Sequence, residues 1–159
     1  MGETETNEEP LGSGQRPLVW LAGPSGSDAK TVARNLVEML RDRTDGVVFP
    51  VYLDGTLVQW IAGDDEDKST AESRLARLAY AMWRLGHWVV CAGSTDGLAS
   101  SKKWLSQSTA KSALLSVWLS GPGSVPSGMD LVLASNGQKT PTEVLANKIV
   151  AHVLEEASE

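Results

Sequence analysis

The sequence predicts an α/β fold of three layers, a mostly parallel sheet of about five strands flanked by helices. Two observations carry this expectation. Apolar runs too short to be helices, such as Leu18-Val-Trp-Leu-Ala22 and Trp88-Val-Val-Cys-Ala92, alternate with segments whose apolar residues recur at helical spacing. The connections between them are short, as a parallel sheet with both faces covered requires.

Residues 17–22, apolar throughout, form the first buried strand, and 30–43 form a helix with Val32, Leu36, Val37, Met39 and Leu40 as its inner stripe. The next strand is expected at 47–53, with Pro50 making its early part an edge or a bend, and it delivers Asp54-Gly55 at its end. A helix over 69–85 carries Leu75, Leu78, Ala79, Met82 and Leu85 on one side, and a buried strand follows at 88–92. A weaker helical pattern covers 98–111, strands follow at 114–119 and 131–134, and a helix at 141–156 closes the domain.

The chain has 159 residues, enough for one domain with a sizeable core, assigned here to 17–157. Residues 1–16, acidic and then containing Gly and Ser, read as a disordered lead-in. The start of the chain carries acids where a secretory signal needs bases and an apolar stretch, and no run reaches membrane-spanning length, so a cytoplasmic protein without membrane contact is expected. A formal charge of −6 argues against a broad nucleic-acid surface, because no stripe of Lys and Arg is present to neutralise phosphates. The lone Cys91 lies in an apolar strand and reads as a buried small hydrophobe. The acidic run at 64–67 reads as a solvated loop in preference to a metal site, and His87 and His152 are isolated.

Ligands of such sheets collect beyond the C-terminal ends of the strands. The loop after the first strand is therefore the first place to look. A phosphate-binding loop reads Gly, four residues, then Gly-Lys-Ser/Thr: backbone amides cradle the phosphates, the lysine reaches the β and γ oxygens, and the hydroxyl holds Mg²⁺. Counting from Gly23, the second glycine position holds Asp28, the lysine position Ala29 and the hydroxyl position Lys30. Lys30 and Thr31 stand one residue late. They restore a Lys-Thr pair if the loop has absorbed one residue and the helix starts later; otherwise the loop is kept for its turn, with Ser25, Gly26, Ser27 and Asp28 capping the helix. Asp54, at the end of another strand, is placed to hold Mg²⁺ or take a proton, or else forms an Asp-Gly turn. Most of the six tryptophans read as core, and Trp60 is the one singled out as a pocket candidate.

Leu18-Val-Trp-Leu-Ala-Gly-Pro-Ser-Gly-Ser27, Tyr52-Leu-Asp54-Gly55 and Arg74-Leu-Ala-Arg77-Leu-Ala79 with the strand after them together resemble the adenylylsulfate kinases. These are P-loop enzymes that transfer the γ-phosphoryl of ATP to the 3′-hydroxyl of adenylyl sulfate. The resemblance spans about 17–155 and is specific in the first strand and at Asp54-Gly55. It implies a P-loop NTPase-like fold and ATP with Mg²⁺ as ligands, with Gly23, Ser25, Gly26 and Ser27 at the nucleotide and Asp54 at the metal and as a catalytic candidate; if the shifted Lys-Thr pair rebuilds the site, Lys30 and Thr31 join the nucleotide-binding residues, Thr31 the metal ligands and Lys30 the catalytic candidates.

The departures are as informative. The loop lysine is Ala29, the family's Asp-Gly-Asp-Asn-Val-Arg becomes Asp54-Gly-Thr56-Leu-Val-Gln59, the Arg-rich turn becomes Gly93-Ser-Thr-Asp96-Gly97, and the basic lid has no counterpart between Trp118 and Met129. Phosphoryl transfer depends on positive charge around the moving group, and losing one such donor costs about 3 kcal/mol in the transition state. Two expectations follow. One is a non-catalytic, weakly or non-nucleotide-binding accessory protein with a small-molecule ligand, a protein partner or a second copy of itself. The other is a divergent kinase in which Lys30, Thr31 and Asp54 rebuild part of the site and Arg74 or Arg77 faces another hydroxyl acceptor.

Overall fold

The computed structural model describes residues 16–24, 28–62, 68–93, 98–109, 113–120, 126, 128–134 and 142–157. The strands are β1 (Leu18–Ala22), β2 (Val51–Asp54), β3 (Val89–Ala92), β4 (Leu114–Ser120) and β5 (Leu131–Ala134). The helices are α1 (Ala29–Arg43), α2 (Gly55–Ala62), α3 (Lys68–Arg84), α4 (Leu98–Ser108) and α5 (Thr142–Ala157). All four strand pairings are parallel and the sheet order is β2-β3-β1-β4-β5.

Period-two alternation divides the central strand between two cores. Val19 and Leu21 join Val32, Leu36 and Leu40 of α1 and Leu145, Ile149 and Val153 of α5 on one face. Leu18, Trp20 and Ala22 join Leu75, Ala79 and Trp83 of α3 and Leu105 of α4 on the other. Each fully buried aliphatic side chain contributes about 1.5–3 kcal/mol relative to exposure, so both helical layers are held by the same five-residue strand. The connection from β1 leads to β2 on one side of it, while the connection from β3 crosses to β4 on the other. The switch in direction opens the sheet's carboxyl edge at β1, where Gly23 follows.

Four local differences from the sequence expectation have physical causes. The second strand starts at Val51 and not at 47: Pro50 has no N–H to give, and the first ladder bond is Val51 N–H to the Trp88 carbonyl at 2.8 Å. Val47 and Phe49, expected in that strand, are exposed. Asp54-Gly55 is not a turn, because Gly55 opens α2, a helix the sequence expectation lacked. Leu85 lies past the end of α3, 75% exposed, and Trp83 takes the buried place on that helix. Arg16, assigned to the lead-in, belongs to the folded domain: its Nη2 donates to the Trp83 carbonyl at 2.7 Å, and Trp83 Nε1 donates to the Arg16 carbonyl at 2.9 Å.

Candidate functional site

The carboxyl ends of β1, β2 and β3 bring together Gly23, the first turn of α1, Asp54, Glu72 of α3 and Gly93. α1 begins at Ala29, so Lys30 and Thr31 lie inside its first turn and not ahead of a later start. Asp28 is its N-cap by position, and Val32 N–H closes the turn on the Asp28 carbonyl at 2.9 Å. The expected capping by the Asp28 side chain is not found, since its carboxylate makes no cap bond. Ser25, Gly26 and Ser27 lie outside the described residues, as do 64–67 and 94–97.

Asp54 is 4% exposed. Its Oδ2 accepts the Tyr52 hydroxyl at 2.6 Å and its Oδ1 accepts the Thr56 N–H at 2.9 Å. The second bond is that of a helix N-cap, so the aspartate that ends β2 also starts α2. Burial alone would push the Asp54 carboxyl up. The Tyr52 hydroxyl, the Thr56 N–H, the charge of Lys30 and the Leu57 N–H together outweigh burial and leave it below the ordinary carboxylate value. Tyr52 moves the other way: burial and the Asp54 carboxylate push its phenol well up, against a smaller opposite pull from Arg34. The Arg34 guanidinium lies 5.4 Å from the centre of the Tyr52 ring.

Lys30 and Arg34 are four residues apart on α1 and share a face of it. Tyr52 and Asp54 are two apart on β2 and share a face of it. The site is thus a ladder of two cations against a phenol and a carboxylate. The sequence reading found Lys30 and Asp54 and missed Arg34 and Tyr52, although the i, i+4 and i, i+2 spacings that join them were legible. Arg77, proposed at a second substrate, has its guanidinium 4.8 Å over the Trp104 ring. Trp60 is 76% exposed on α2.

Behind Asp54 lies a second polar group. Glu72 is 5% exposed, and a Cβ built on Gly93 would stand 2.5 Å from its Oε2 and 2.6 Å from Trp20 Nε1. Only a glycine lets the carboxylate and the indole meet the strand end there. Trp20 Nε1 has no hydrogen-bond acceptor among the described residues. Cys91, fully buried on the same side, has its thiol pushed well up by burial and then by the charges of Glu72 and Asp54. Among the described residues no group of three or more His, Cys, Asp and Glu side chains could hold a metal ion, and no helix is long and apolar enough to cross a membrane.

No protein-family model and no curated protein matches the chain in sequence. Solved structures match in fold. A cysteine-to-alanine mutant of the Mycobacterium tuberculosis APS kinase CysC superposes with a TM-score of 0.70 at 20% identity, covering 87% of this chain and 96% of its own. The same kinase in complex with AMPPNP and APS superposes with a TM-score of 0.70 at 18% identity, covering 87% and 97%. A hexameric APS kinase from Thiobacillus denitrificans gives 0.68 at 14% identity over 90% of this chain, which spans only 30% of that longer one. The chain carries the P-loop α/β fold found in the adenylylsulfate (APS) kinases.

Proposed function

We propose that this protein is a non-catalytic relative in fold of the adenylylsulfate kinases, one that binds nucleotide weakly or not at all and acts as an accessory protein. The observation that carries this is the first residue of α1. Ala29 stands where the phosphate-binding motif puts its lysine, and Lys30, the next residue, is turned about 100° further around the helix, on the face of Arg34. Asp54 has each carboxylate oxygen already engaged, one by the Tyr52 hydroxyl within β2 and one by the Thr56 N–H of α2. The positive charge that phosphoryl transfer needs around the moving group is correspondingly thin. Nucleotide is the ligand class this reading retains, because the similarly folded M. tuberculosis kinase was solved with AMPPNP and APS.

Calorimetric titration with ATP and Mg²⁺ tests it. A dissociation constant of about 1 mM or weaker, near −4 kcal/mol, is expected. Binding in the low micromolar range contradicts it.

The charge of Lys30 reaching Asp54 favours a second reading, a divergent ATP-dependent kinase acting on another hydroxyl acceptor. That reading requires ATP binding that weakens in both Lys30→Ala and Asp54→Ala and turnover with some small hydroxylated acceptor.

A further inference from the structure

In a phosphate-binding loop the motif's hydroxyl holds Mg²⁺ beside the phosphates. That position is Lys30 in this chain. The fold fixes which residue of β2 the Lys30 position lies over. α1 leaves the carboxyl edge of the sheet and returns to start the parallel strand β2, so the helix runs antiparallel to the strand. Arg34 stands over Tyr52, with 5.4 Å from guanidinium to ring. Going from Arg34 back to Lys30 moves about 6 Å along the helix on one face. Going from Tyr52 on to Asp54 moves between 6 and 7 Å, roughly, along the strand on one face, in the same direction. The pairing of Arg34 with Tyr52 therefore repeats one step further on as Lys30 with Asp54, and the Lys30 charge contributes to holding that carboxyl ionised.

The donor set around this point does not suit Mg²⁺, which asks for oxygen ligands in near-octahedral array. The hydroxyl is replaced by an ammonium that repels a divalent cation. Asp54 already accepts from Tyr52 and Thr56 through its two oxygens. Thr31, the adjacent hydroxyl, is exposed like Lys30 and lies about 100° around α1 from the Lys30 face.

We infer that Lys30 takes the place of the metal: the protein holds a polyphosphate chain through the Lys30 ammonium, braced by Asp54, without a divalent cation. The inference rests on the weak nucleotide binding proposed above and specifies its chemistry. Arg34 stays on Tyr52 and keeps the carboxylate oriented.

The test is calorimetric titration of ATP into the full chain, once with MgCl₂ and once with EDTA, repeated for Lys30→Met and Lys30→Thr. Wild-type affinity is expected to agree within about twofold between the two buffers, Lys30→Met to lose at least about tenfold in both, and Lys30→Thr to bind only with Mg²⁺. Wild-type binding at least about tenfold tighter with Mg²⁺ overturns the inference while leaving nucleotide binding intact. Equal affinity of Lys30→Met and wild type also overturns it. No heat with wild type in either buffer overturns this inference and leaves the proposed function standing in its non-binding form.

Discussion

The Tyr52 hydroxyl donates to Oδ2 of Asp54 at 2.6 Å, two residues away on the same face of β2. The bond fixes the carboxylate so that its other oxygen meets the first amides of α2. One side chain thereby sets the orientation of another and the direction in which the chain leaves the sheet.

Tyr52→Phe removes that bond and is expected to raise the Asp54 carboxyl and to lower stability at neutral pH by about 1.5–3 kcal/mol, the scale of a hydrogen bond to a charged acceptor. The sign follows from linkage: Asp54 titrates below its unfolded value, so its contribution is present above that value and is lost as pH falls through the folded one. In Tyr52→Phe the folded value lies closer to the unfolded one, so the loss on acidification is smaller and is complete at higher pH. Urea unfolding of both proteins across the acid range, with the Asp54 carboxyl followed by NMR, checks this; identical acid profiles contradict it.

Gly93→Ala places a methyl 2.5 Å from Glu72 Oε2 and 2.6 Å from the Trp20 indole, both buried. The rigid ring leaves the strand end little room to yield. Overpacking of this kind costs roughly 1–3 kcal/mol, read as a lower urea midpoint. An unchanged midpoint would show that the space above Gly93 is open.

Asp130 Oδ2 accepts from the backbone N–H of Ser116 at 2.8 Å and from its hydroxyl at 2.9 Å, and Ser116 is fully buried in β4. Asp130→Ala strands those donors and loosens the entry to β5. A loss of about 1–3 kcal/mol is expected in thermal or chemical unfolding. Ser116→Ala, which removes only the hydroxyl, is expected to cost less.

Cys91 is fully buried and its thiol is pushed up by burial and by two neighbouring carboxylates. Thiolate reagents should therefore leave it unmodified in the folded protein and react at the rate of unfolding. Fast modification under native conditions would contradict the burial of β3.

Much of this fold was legible because buried parallel strands are unmistakable apolar runs, and β1, β3 and β4 fall where those runs lie. The short helix α2 was hidden because it follows β2 with no linker, opens on glycine and is too short for its periodicity to show. Its signal was Asp54 itself, an N-cap residue read instead as a site or a turn. At the site, Lys30 and Asp54 could be named from the motif and from strand ends. Their relation could not, because it depends on α1 passing over β2, a fact of topology that brings Arg34 onto Tyr52 and turns two spaced pairs into one ladder.

The proposed function turns on the absence of phosphoryl transfer to adenylyl sulfate in a chain with Ala29 where the motif puts its lysine. The most direct measurement is ADP formation by the purified protein with ATP, Mg²⁺ and adenylyl sulfate. No turnover above the protein-free control is the predicted result. Turnover that disappears in Lys30→Ala would contradict the claim and show that Lys30 does the work of the missing lysine.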